Sequence, residues 1–193
     1  LLGAILERIE GKSYAELANE LFAKLGMENT SAYYFGEEHT FIPGHYLSDD
    51  DKLVPIKLSD LFTAETWKPF LPTGGVISTA ADLLIWDTKL HSGQVITDES
   101  YKLMTDYSIE ASHSAFGPQL LGYGYGVRID DTSYKKHIGH AGRGIGYASI
   151  KLYFPENGLS VIVLENVYIS NDPNIVYYFE REIRDLVLKF LAT

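Results

Sequence analysis

The sequence predicts an α+β protein in which an antiparallel sheet is flanked by helices, and three observations predict it. Apolar residues recur at helical spacing through the first part of the chain. Beyond Leu121 the pattern becomes a series of short β-like segments, and near the end it returns to one helical stripe. At 193 residues the chain suits a single domain with a sizeable core.

Taken in order, Leu1, Leu2, Ile5, Leu6 and Ile9 mark a first helix, with Gly11 as its stop. "SYAE" comes next, and Ser13 with Glu16 has the spacing of a capping box opening a second helix, about 14–24, that ends at Gly26. Residues 30–72 show turn formers and no sustained period, which reads as an elaborated loop region. Thr79 and Asp82 then stand as an N-cap and its N3 partner for a helix to about His91, and Gly93 closes it. A short helix from Thr97 or Asp98 runs through Met104.

"GYGYGVRI", "KKHIGH", "IGYASIKLYF" and "LSVIVLENV" form a meander, with Glu156-Asn157-Gly158 as a hairpin signal between the last two. Residues 159–164 are apolar on both faces, the pattern of a central strand covered on two sides. Asp172 as N-cap and Pro173 at the first helical position open a helix whose Ile175, Phe179, Ile183, Leu186, Val187 and Phe190 make one stripe against the sheet.

Charge narrows the function classes. With 26 acidic and 16 basic residues the net charge is −10, which disfavours nucleic acid as a partner. No apolar run approaches the roughly 20 residues needed to cross a bilayer. The absence of cysteine removes disulfides and thiolate-bound metals. The opening residues carry neither Met nor a basic leader, and their helical spacing reads as a chain whose natural N-terminus is missing.

"HIGHAGRGIGYASI" concentrates glycine, histidine and arginine just before an apolar strand. His137 and His140 stand three apart, which in a strand places them on opposite faces and argues against a shared metal. His39, His45, His91 and His113 make no metal-binding pattern and read as solvent-facing or loop residues. Gly142 to Gly146 precede a strand instead of a helix, so they make no phosphate cradle, and Gly122, Gly124 and Gly126 read as close backbone approaches. The sole Ser-x-x-Lys is Ser133-Tyr134-Lys135-Lys136, in a hairpin where Ser and Lys point apart, so it reads as a chance match.

Four blocks occur in a recognisable order: the first thirty residues, "PTGGVISTAADLLIWDTKLHSGQVIT", "YGYGVRI" and "GHAGRGIGYASIKLYFPENGLSVIVLEN". Together they resemble the C-terminal portion of the serine β-lactamase and penicillin-binding-protein-like family, which includes class C β-lactamases, D-alanyl-D-alanine carboxypeptidases and related esterases. The resemblance implies that residues 1–193 are the C-terminal portion of a single domain of that fold, incomplete at the N-terminus.

His140-Ala141-Gly142 matches the family's third motif in its His-x-Gly form. The resemblance implies that His140 works in the proton network, that Gly142 leaves room for substrate beside Ala141, and that the backbone N–H of Arg143 donates to an oxyanion. Arg128 matches an arginine that in some family carboxypeptidases holds the substrate's terminal carboxylate. The plain alternatives are a half-buried strand histidine and two surface arginines.

The family's helical Ser-x-x-Lys and its Tyr-x-Asn are not in this chain. The resemblance also implies a metal-free, cofactor-free serine hydrolase acting through an acyl-enzyme on a small-molecule or peptide ester or amide. This chain alone is then inactive. Its expected partners are the missing N-terminal portion, or a second copy reached by domain swapping through an open sheet edge, and its location exported or in the cell envelope. The rivals are a catalytically dead protein of the same fold that binds a peptide or cell-wall fragment, and a structural module.

Overall fold

The computed structural model describes residues 1–32, 41–132, 135–168, 175 and 177–193. Seven helices among them are α1 (Leu2–Glu10), α2 (Tyr14–Leu25), α3 (Leu58–Leu61), α4 (Ala64–Gly74), α5 (Ala80–His91), α6 (Asp98–Thr105) and α7 (Tyr178–Leu191). The main sheet has six strands in sequential antiparallel order: β5 (Glu110–His113), β6 (Gly117–Tyr123), β7 (Arg128–Asp130), β8 (His137–Gly144), β9 (Tyr147–Phe154) and β10 (Leu159–Glu165). Two small sheets join β1 (Ser31–Ala32) to β4 (Val76–Ile77), and β11 (Val167–Tyr168) to β2 (His45–Leu47) and β3 (Leu53–Pro55).

The local signals act as their chemistry requires. Ser13 and Glu16 close a reciprocal capping box, and Gly11 and Gly26 end α1 and α2 in the left-handed conformation. Thr79 accepts from the Asp82 N–H at the start of α5. The side chain of Asp82 turns inward, accepting from the Asn29 N–H and the Thr30 hydroxyl, each at 2.7 Å. The β9–β10 hairpin turns through Pro155 to Gly158, which takes a φ of 61°.

The region read as loop contains a helix. α4 lies inside residues 30–72 with only its last two residues beyond, opened by Thr63 and Thr66 and carrying Pro69 and Pro72 within it. Proline hides such a helix from periodicity, yet Trp67 and Leu71 are buried and gather Ala15 and Ala32 into a core of their own. The predicted helix start at Asp172 and Pro173, the Ser133 motif residue and His39 lie outside the described residues.

The strand at 159–164 is not central. β10 pairs only with β9 among the described strands, so it is the sheet's edge. Its apolar character on both faces has a different cause. α5 packs against β10, while Leu159, Val161 and Val163 pack with Val187 and Leu191 of α7 on the main core of Phe116, Leu121, Ile150, Leu152 and Phe154. Helices of this chain therefore cover both faces of β10, and its outer edge has no paired strand among the described residues.

α7 is fastened to the sheet by a buried polar network. Asp130 and His137 are fully buried, and Arg184 is nearly so. Arg184 donates to Asp130 Oδ2 at 2.7 Å and, through Nε–H, to His137 Nε2 at 3.2 Å. Nδ1–H of His137 then donates to the Lys135 carbonyl at 3.0 Å, so the ring is neutral with both nitrogens used.

Candidate functional site

β7 pairs with β8 only over His137 to Gly139, whereas β9 accompanies β8 to its end. From His140 onward β8 has one paired neighbour among the described strands, and its other edge is open. The candidate site is this corner, where β7 stops and the strand edge begins.

His140, Gly142 and Arg143 are exposed along that stretch, and Ala141 points into the main core. His137 is buried on the α7 side, so the two histidines do face opposite ways. A Cβ on Gly142 would stand 3.0 Å from Ser149 Oγ, so a side chain there would crowd the neighbouring strand as well as the open face. At Gly139 a Cβ would fall on the Lys151 carbonyl, and only glycine lets the strands lie this close beside the motif.

The His140 ring has a defined tautomer. Its Nδ1–H donates to the Ala141 carbonyl at 2.7 Å, which leaves Nε2 as acceptor for the Tyr123 hydroxyl at 3.3 Å. Partial desolvation of the ring, whose outer part stays exposed, with the Arg128 and Lys151 charges adding to it, lowers the imidazole below its usual pKa despite the opposing bond to Ala141. The arrangement presents a neutral nitrogen lone pair.

Arg128 is the residue of β7 opposite Gly139, beside the motif. Its guanidinium lies 5.1 Å over the Tyr123 ring, and its Nε and Nη1 are buried without a hydrogen-bond partner. A desolvated cation with unused donors is a costly arrangement that an anionic ligand relieves. Arg143 stands further along β8 opposite Ala148. The structure thus brings His140, Gly142, Arg143 and Arg128 to one corner, with Ala141 anchoring the strand from behind.

The far end of the strand is held by an unusual turn. Ile145 and Gly146 both have positive φ, 55° and 80°, and a β-branched residue adopts this conformation only at a cost. Ile145 packs against the Trp67 core, and the His45 N–H donates to the Gly146 carbonyl at 3.3 Å.

Sequence reasoning missed three contributors. Tyr123 is the cross-strand partner of Arg128, which the register of the β6–β7 hairpin would have revealed. His113 lies on β5 instead of a loop, and burial, with the charges of Arg128, His140 and Arg143, pushes it down to about 4. His91 is also not a solvent-facing residue: its side chain is 3% exposed on α5 and its ring stacks on Tyr153 at 3.6 Å. Among the described residues no group of three or more His, Cys, Asp or Glu could hold a metal, and no helix is long and apolar enough to cross a membrane.

Comparison with known proteins gives the chain a family. The chain matches an octameric penicillin-binding protein homologue from Pyrococcus abyssi at 28% identity and a TM-score of 0.74, over 97% of this chain and 40% of that one. It matches a D-amino acid amidase from Ochrobactrum anthropi SV3 at 20% identity and a TM-score of 0.73, over 98% and 55%. A penicillin-binding protein from Bacillus halodurans aligns at 17% identity and a TM-score of 0.73, over 96% and 52%. No curated protein matches.

The chain spans about 40–55% of the length of these three structures. The matches nevertheless run along nearly all of the chain itself, from its first residue in the family comparison. This corrects the expectation of a likeness to a C-terminal portion only, incomplete at the N-terminus, with a missing N-terminal portion or a swapped copy as partners: the family model runs over residues 1–182. α5 and α7 cover the two faces of β10, while its outer edge carries no paired strand among the described residues. The fold is the α+β fold of β-lactamase- and penicillin-binding-protein-related hydrolases. With the family model of Beta-lactamase matching residues 1–182, the chain belongs to the beta-lactamase family.

Proposed function

We propose that the protein is a β-lactamase-related serine hydrolase of the D-alanyl carboxypeptidase or esterase type, acting through an acyl-enzyme on ester or amide substrates. In this reading the chain supplies the substrate-holding wall. Arg128 receives a carboxylate, the Arg143 N–H stabilises the oxyanion, Gly142 leaves room for the acyl group, and His140 Nε2 accepts a hydrogen bond or proton. The observation that carries it is the pair of buried Arg128 nitrogens, Nε and Nη1, without hydrogen-bond partners beside the defined lone pair of His140. The amidase likeness supports an acyl substrate of D-configuration. The likeness to penicillin-binding proteins supports an exported or envelope location.

One observation favours a second reading. No helical Ser-x-x-Lys and no Tyr-x-Asn occur in the 193 residues, which fits a protein that holds such ligands without cleaving them. Intact-mass analysis after exposure to a fluorophosphonate and to a β-lactam, alongside equilibrium binding of N-acetyl-D-alanyl-D-alanine, separates the two. A covalent increment on a serine with turnover establishes the hydrolase. Saturable binding without an increment moves the binding protein ahead, and the absence of both removes this corner as a site.

A further inference from the structure

We propose that Lys151 and Asp87 are positioning residues for His140: an ion pair that sets one fixed cation beside the imidazole and balances it from beneath the sheet. The inference rests on reading β8 as the substrate wall.

Lys151 is directly opposite His140 in the β8–β9 register. Cross-strand partners share a face with their Cβ atoms about 5 Å apart. The ammonium reaches back to α5, 2.5 Å from Asp87 Oδ1. Asp87 is fully buried, its second oxygen has no hydrogen-bond partner, and His91, one turn on, offers Nε2 at 3.8 Å. Burial pushes His91 down to about 4, so it brings no compensating charge at neutral pH. A buried carboxylate needs a cation, and the one that serves it stands next to the motif.

Among the described residues the groups acting on the His140 ring are the Tyr123 hydroxyl from β6, Arg128 from β7 and Lys151 from β9, with His113 from β5 also interacting with it. No carboxylate stands among them, so the field on the ring is positive. Asp87 governs how much of Lys151's charge the ring feels. The pair thereby keeps Nε2 available as an acceptor at neutral pH, while its ion pair also docks α5 on the sheet.

The test is the titration of the His140 ring by NMR in the wild-type chain and in Lys151→Met, Lys151→Arg and Asp87→Asn. Lys151→Met is expected to raise the midpoint by roughly half a pH unit, the scale of one unit charge at short range near water. Lys151→Arg is expected to restore it, and Asp87→Asn to lower it. Should Lys151→Met fail to fold, Asp87→Asn combined with Lys151→Met removes both charges, and its midpoint is expected to rise by less. An unmoved midpoint, or equal shifts in the Met and Arg variants, overturns the proposal. So does a shift of the same sign in Lys151→Met and Asp87→Asn, since simple loosening of the site would move both alike. No substrate is used: failed ligand binding with these shifts intact would count against the proposed function alone, and ligand binding without them against this inference alone.

Discussion

His140 donates from Nδ1 to the carbonyl of its own neighbour Ala141, 2.7 Å away, and Ala141 is itself locked in the core. A catalytic or binding imidazole needs its other nitrogen held in one state, and here the backbone does this without a carboxylate. His140→Ala is expected to leave the thermal transition within about 2 °C, since the residue is exposed. Binding of N-acetyl-D-alanyl-D-alanine is expected to weaken about tenfold, measured by calorimetry.

Arg128 gives a sharper discrimination. Arg128→Met is expected to cost about tenfold or more in affinity for N-acetyl-D-alanyl-D-alanine and little for its C-terminal amide. Equal losses for the two ligands would assign Arg128 to packing on Tyr123 alone.

The Asp130–Arg184 pair carries stability. Arg184→Met leaves the Asp130 carboxylate buried without its cation, and is expected to destabilise by about 3–5 kcal/mol in urea unfolding. Asp130→Leu combined with Arg184→Met is expected to recover much of that loss.

Two histidines predict the acid limb of stability. Burial lowers His91 and His113 from 6.5 to about 4, so the unfolded chain binds more protons in that window. Their contribution is complete above pH 6.5 and is lost as pH falls toward about 4. Urea midpoints across this range are expected to fall, and less steeply in His91→Phe.

Glu180 has the opposite sign. It is fully buried with neither carboxyl oxygen hydrogen-bonded, and burial raises it above 4.5; Glu165, raised by burial, also feels the Glu180 charge. The folded state holds the proton longer, so this contribution is present below 4.5 and is lost as pH rises through the raised value. Glu180→Gln is expected to stabilise the protein at neutral pH and to flatten that limb, as read from thermal transitions.

Much of this architecture is legible locally. The capping residues Ser13, Glu16 and Thr79 and the stops at Gly11 and Gly26 each act within a few positions, and each appears where the sequence places it. α4 was illegible because Pro69 and Pro72 break the pattern that defines a helix, while its stability comes from Trp67 and Leu71 packing on distant segments. The edge position of β10 was illegible for a related reason: an apolar strand reports that its faces are covered and says nothing of whether both of its edges are paired. At the site, the His-x-Gly segment stood out as a motif, whereas Tyr123 and Lys151 join it only through register.

The most direct test of the central claim is amide and His-ring chemical-shift mapping of the chain titrated with N-acetyl-D-alanyl-D-alanine. Saturable shifts confined to Tyr123, Arg128 and His140 to Arg143 are the predicted result. Saturable shifts centred elsewhere, or none up to millimolar ligand, would contradict the assignment of this corner as the substrate wall.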